Sequence, residues 1–234
     1  MTLASILEEA ENRRKTVVYH APEPGDFREQ FDVRNVDVEF RKIPNGGPEP
    51  FLTILEDGQF RGAITLENLE TFLWPPITHP YDVTELSPEY RALFELLDDT
   101  VFASLTRRQL LATSREFEDR AWRTGRGAFH VGFQSLSAFR AQAPLYRQMA
   151  AETDLDIHVY CDFDGATDEF SDCEVTLHPV SRDGVGRYWF LVFDGGGDDD
   201  RKNALVAEQR TEGTFYGVWT YDAALVDSAL AELG

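Results

Sequence analysis

Five apolar runs crowd the last third of the chain: LDIHVYCDFD (155–164), CEVTLHPV (173–180), RYWFLVFDG (187–195), NALVAEQR (203–210) and TFYGVWTYD (214–222). Each is rich in β-branched and aromatic residues, and each is fenced by Gly, Asp, Pro or Ser. Strands this close in sequence usually pair with their neighbours. A sixth run, GAFHVGFQ (127–134), precedes them. Helical patterns flank the set. The pattern predicts a mixed α/β (α+β) protein with a central, largely antiparallel sheet and helices packed on it.

The helices follow from spacing and caps. Leu3, Ile6, Leu7 and Ala10 share one face of a helix over 3–14. Ser87 and Pro88 open a second, with Tyr90, Leu93, Phe94 and Leu97 on its buried face. Residues 113–125 read as a helix with a Thr113–Glu116 capping box and Gly125 as its stop, preceded by a strand at 107–113. A helix at 135–152 carries Leu136, Phe139, Ala143, Tyr146 and Ala150, and Pro144 should kink or divide it. AALVDSALAEL closes the chain as a helix.

The first third is shorter and simpler. TVVYH (16–20) and VDVEFRKI (36–43) read as strands. FLTILEDGQFRGAIT reads as a hairpin turning at Asp57-Gly58. LENLETFL (66–73) reads as a short helix. A Pro-rich stretch then suggests a boundary: 1–75 as a short module, 76–86 as a linker and 87–234 as the main domain.

One phrase occurs twice. FRGAIT at 60–65 and FYGVWT at 215–220 both fit F-x-G-x-x-T, and both lead into a helix. Each part also has an Arg-Arg pair, at 13–14 and 107–108. The short module is therefore expected to be a partial repeat of the longer one. Gly62 and Gly217 sit inside strands, where glycine marks a bulge or a close approach.

Charge narrows the function classes. Asp and Glu number 42 against 22 Lys and Arg, for a net charge of −20, and the only lysines are Lys15, Lys42 and Lys202. Such a chain suits concentrated salt, where screening relieves self-repulsion. The reading is an acidic, halophilic, cytoplasmic protein. Nucleic-acid binding is disfavoured, because phosphates need clustered cations. No apolar run is long enough to span a membrane, and no signal peptide is evident.

Metal and catalytic chemistry find little support. His158, Cys161, Cys173 and His178 are zinc-ligand types, but on an extended strand His158 and Cys161 face opposite ways. The acidic loops at 162–172 and 195–200 do not fit EF-hand spacing. No nucleophile elbow, P-loop or dinucleotide fingerprint is present. The sequence leaves any cofactor unknown. What remains is an aromatic and polar cluster. Arg115, Glu118, Trp122, His130, Phe133, Gln134, Tyr146 and Trp219 are the candidate ligand-binding residues, with core filling as the competing role for the aromatics. His130 and Gln134 should face away from the Phe129, Val131, Phe133 row and need polar partners, for which Arg115, Glu118 and Arg120 are candidates.

These residues also carry a resemblance. S-R-E-x-E-D at 114–119, G-F-Q at 132–134 and G-x-W-T-x-D at 217–222 resemble the DICT sensory domain, over about 86–232. Ser114, Glu116, Glu118, Asp119, Gln134, Tyr146 and Trp219 match its recurring positions. The resemblance implies a sensory or signal-transduction role, linked to light or another environmental cue, with no known ligand and no established catalytic residue. It also suggests a GAF- or PAS-like sensory architecture. Family members are often fused to cyclase, kinase or DNA-binding output domains, and this sequence carries none. Stand-alone versions occur in salt-loving archaea.

The expected function is a non-catalytic sensory domain that takes an unidentified small ligand or a signalling protein as partner. The alternatives are a pure protein-interaction module, and an enzyme using Glu116, Glu118 or His130.

Overall fold

The terminal apolar runs do become strands, and they share one sheet. The computed structural model describes residues 3–13, 15–24, 36–66, 92, 94–163, 167–181 and 184–234. The linker at 76–86 lies outside these residues. So does the helix expected at 66–73, beyond Leu66.

The chain begins with α1 (Leu3–Asn12), then β1 (Lys15–Ala21), β2 (Val36–Lys42), β3 (Phe51–Glu56) and β4 (Gln59–Thr65). The second part contains β5 (Phe102–Thr106), α2 (Arg107–Thr124), β6 (Arg126–Gly132), α3 (Leu136–Glu152), β7 (Asp154–Cys161) and β8 (Thr176–Pro179). It ends with β9 (Tyr188–Phe193), β10 (Asn203–Thr211), β11 (Thr214–Thr220) and α4 (Ala223–Leu233).

Two sheets form. The small one has the order β2-β1-β3-β4, and the large one β5-β11-β10-β9-β6-β7-β8. Within the large sheet only β6–β7 and β7–β8 are parallel. The other pairs are antiparallel. The mixed α+β class with a largely antiparallel sheet is thus the observed one.

Alternation along the strands builds two cores. One face of the large sheet presents Phe129, Val131, Leu191, Phe193 and Leu205 to Leu110, Phe117 and Ala121 of α2 and to Phe139, Tyr146 and Met149 of α3. The other face presents Tyr160, Phe190, Val192, Val206 and Val218 to α1 and α4. All four expected apolar residues of α1 are buried. From the small sheet, Val17, Leu52, Ile54 and Ile64 join the first core.

Three expectations are corrected. Residues 107–113 are not a strand but the start of α2, because Leu110, Ser114, Phe117 and Ala121 recur at helical spacing on one buried face. The capping box is accordingly Thr106 with Gln109, not Thr113 with Glu116. The strand before the helix is β5. Pro144 does not divide α3, which runs from Leu136 through to Glu152.

The repeated phrase has a physical basis. It fills the second strand of two hairpins, β3–β4 and β10–β11. Register shifts fall beside both glycines: β4 slips against β3 next to Gly62, and β11 slips against β5 next to Gly217. A Cβ on Gly62 would run into Leu96, and one on Gly217 would lie 2.9 Å from the Cβ of Ala207. Both glycines mark bulges at close approaches. The small sheet's strand order also recurs in the large one, as β7-β6-β9-β10. That match pairs β4 with β10, one strand away from the second phrase.

Candidate functional site

Five chain segments end together at one edge of the first core. They are the carboxyl end of β6, the start of α3, the start of β9, the β10–β11 hairpin and the first turn of α2. Between them lies a cavity of about 360 Å³. Its floor is aromatic: Phe133, Trp189 and Phe215 are all nearly buried. The Trp189 and Phe215 rings meet edge to face at 5.9 Å. Ala138 of α3 adds a small apolar wall. The rim is polar, built by Arg107, Gln134, Ser135, Gln209 and Glu212. An aromatic floor with a few polar groups at the mouth is how small ligands are held, and the volume lies in the range such sites occupy.

Four of the lining residues are fixed from behind. The indole N–H of Trp189 donates to Ser114 Oγ at 3.0 Å, and Ser114 in turn donates to the Leu110 carbonyl. Gln134 Nε2 donates to the Arg187 carbonyl at 2.7 Å. Ser135 caps α3, accepting from the Ala138 N–H. Phe133 packs edge-on against Tyr146 at 5.7 Å and lies 5.2 Å from Phe139.

Behind Phe133 lies a buried polar network that joins α2 to α3. Tyr146 donates its hydroxyl to Glu118 Oε1 at 2.6 Å. The other oxygen of Glu118 pairs with Arg115, which also donates to Gln142 Oε1 on α3. Burial, and after it the Glu118 charge, push the Tyr146 phenol well above its ordinary range, so it stays a donor.

Phe133 and Gln134 therefore line the cavity, and Arg115, Glu118 and Tyr146 form the network behind it. The other three candidates lie elsewhere. Trp219 is fully buried, stacked on Phe102 at 5.0 Å, with its indole donating to the Phe94 carbonyl. Trp122 is half-buried against the first core. His130 faces the opposite core, where Nδ1 meets the Tyr160 hydroxyl at 2.9 Å and the ring stacks on His158 at 4.5 Å. The partners expected for His130 and Gln134 on α2 are thus replaced by Tyr160 and by a backbone carbonyl.

Sequence reasoning missed Arg107, Ser135, Ala138, Gln209, Glu212 and Phe215. The last two had a signal: an acidic-Gly turn followed by an aromatic, between two strands. Trp189 belonged to the aromatic cluster but not to the chosen residues.

The remaining polar clusters are of other kinds. His158 Nδ1 lies 2.9 Å from His178 Nε2, while Cys161 and Cys173 are in the first core on the opposite face. Among the described residues no group of three or more His, Cys, Asp or Glu side chains is arranged to hold a metal ion. Glu116 is fully buried, accepts from Arg120 Nε at 2.6 Å, and is pushed upward chiefly by burial. No described helix is long and apolar enough to cross a membrane.

Comparison with known proteins decides the family. The model for DICT, the sensory domain in diguanylate cyclases and two-component systems, matches residues 90–210, just over half of the chain. The chain belongs to the DICT family. The DICT match contains α2, β6, α3 and β9, hence the floor residues Phe133 and Trp189 and the whole Arg115–Glu118–Tyr146 network. Glu212, Gly213 and Phe215 follow its end. No curated protein matches. Among solved structures, the polyphosphate kinase from Porphyromonas gingivalis aligns with 94% of this DICT chain and 46% of its own, at 9% identity and a TM-score of 0.33. The chain thus spans a little under half of that protein, and the likeness is too slight to bear on fold or activity.

Proposed function

We propose that this chain is a non-catalytic sensory protein that takes a small molecule into the cavity floored by Phe133, Trp189 and Phe215. The observation that carries this reading is Phe133 itself. It touches the cavity on one side and Tyr146 on the other, and Tyr146 is bonded to the network that ties α3 to α2. A ligand that shifts Phe133 must disturb a packed helix pair joined by that network, and such interfaces change state rather than deform gradually. Membership of a sensory family supports the same reading. In this proposal 87–234 senses, 1–75 is a partly duplicated module beside it, and the protein works in a salt-rich cytoplasm.

The test is native mass spectrometry, with an absorbance spectrum, on protein from a host with high internal salt. The wild type is run beside Ala138→Phe, which fills the cavity. The expected result is a bound small molecule in the wild type that is missing from the folded variant. A visible band would make that molecule a chromophore. The same bound mass in both proteins would remove the cavity from the account.

A further inference from the structure

The cavity's rim and floor together narrow what it binds, on the reading that it is the sensory site. Arginines in this acidic chain are generally spoken for: Arg13, Arg61, Arg115, Arg120, Arg123 and Arg147 each hold a carboxylate within salt-bridge reach. Arg107, like Arg41, has no ion-pair or hydrogen-bond partner among the described residues, and of the two it is Arg107 that stands exposed at the cavity mouth. With 42 acidic side chains in the protein, an arginine without one, placed over an aromatic floor, is a guanidinium left for something else. Its planar fork suits a carboxylate, which it can bind through two parallel hydrogen bonds. Gln134 gives one amide N–H to the Arg187 carbonyl, which leaves its second N–H as a donor and its carbonyl as an acceptor at the rim. The floor rings favour a flat partner, stacked or edge-on.

The geometry points to a planar aromatic carboxylate as the ligand class, with the ring on Trp189 and Phe215 and the carboxylate on Arg107. Glu212 also stands on the rim, so each added negative charge is disfavoured and a monoanion, balanced by Arg107, is the class favoured.

Isothermal titration of the full chain with naphthoate, naphthylmethanol and cyclohexanecarboxylate tests this, at the lowest salt at which circular dichroism shows the chain folded, where screening of the exposed contact is least. Naphthoate is expected to bind about tenfold or more tightly than the neutral alcohol. Cyclohexanecarboxylate, which lacks the flat ring, is expected to bind more weakly than naphthoate. Arg107→Gln, at an exposed position that leaves folding intact, should erase the preference for the anion and leave the alcohol unchanged. Equal binding of naphthoate and alcohol, or an unaffected Arg107→Gln protein, overturns the ligand class while the cavity still stands. Absence of naphthoate binding overturns it as well. Naphthoate binding that survives intact in Ala138→Phe overturns the cavity reading too.

Discussion

Glu118 shows how much one buried carboxylate can organise. Its two oxygens are divided between Tyr146 and Arg115, so a charge that would be costly alone becomes the joint between two helices. Tyr146→Phe removes one donor and leaves an under-satisfied oxygen in the core. The expected cost is about 1–3 kcal/mol, read as a lowered thermal midpoint; an unchanged midpoint would show that the bond adds nothing. His130 gives a second residue-scale prediction. Burial, then the neighbouring imidazoles of His158 and His178, hold it down to about 4, against 6.5 for a free histidine. The unfolded chain therefore takes up the proton first. Stability present above pH 6.5 is lost as the pH falls toward 4, by up to about 3 kcal/mol. His130→Phe lacks this loss, so the stability difference between wild type and variant should shift against the wild type as acid is added. Parallel pH curves for the two would contradict the assignment. At this scale the sequence was informative about chemistry and silent about company. Arg115, Glu118, Phe133, Gln134 and Tyr146 do gather around one place. His130 does not, because strand alternation turns it to the opposite face of a sheet whose two sides are both buried, and Trp219 does not, because it sits on the cavity's face but further along β11, against Phe94 and Phe102.

At the scale of elements, α2 was misread at its start for a clear reason. Two leucines after a pair of arginines look like a strand when seen alone, and only the longer period from Leu110 to Ala121 identifies the helix. Its true cap, Thr106, accepts from the Gln109 N–H while Gln109 accepts from the Thr106 N–H. Thr106→Ala should cost about 1 kcal/mol, measured by denaturant unfolding. Thr113→Ala cannot act as a cap mutation, since Thr113 sits in the second turn and bonds back to the Gln109 carbonyl. The helices and strands were mostly legible because each is encoded by local period and punctuation. The cavity was not, because it is assembled from five segments whose meeting depends on strand order. The adjacency of β6 to β9, and of β11 to β5, has no local signature.

Beside the apolar contacts, ion pairs tie the first stretch of the chain to the rest of the molecule. Arg13, just after α1, reaches Asp99 and Asp222 at 2.6 Å each, and Asp222 also caps α4. Buried Lys15 pairs with Asp98. These contacts are partly sheltered, so salt weakens them little, whereas the self-repulsion of 20 net charges is screened within about 3 Å at 1 M. The thermal midpoint is therefore expected to rise steadily from dilute buffer to molar potassium chloride; a falling midpoint would mean that attraction between exposed pairs dominates. The central claim, that filling the cavity is felt at the α2–α3 joint through Phe133 and Tyr146, can be tested without knowing the natural ligand. A cysteine introduced by Ala138→Cys is labelled with a naphthyl maleimide, and amide hydrogen exchange is compared with and without the label. Altered exchange is expected across both α2 and α3, and its loss from α2 when Tyr146→Phe is added. A change confined to residues 133–138 in both proteins would contradict it.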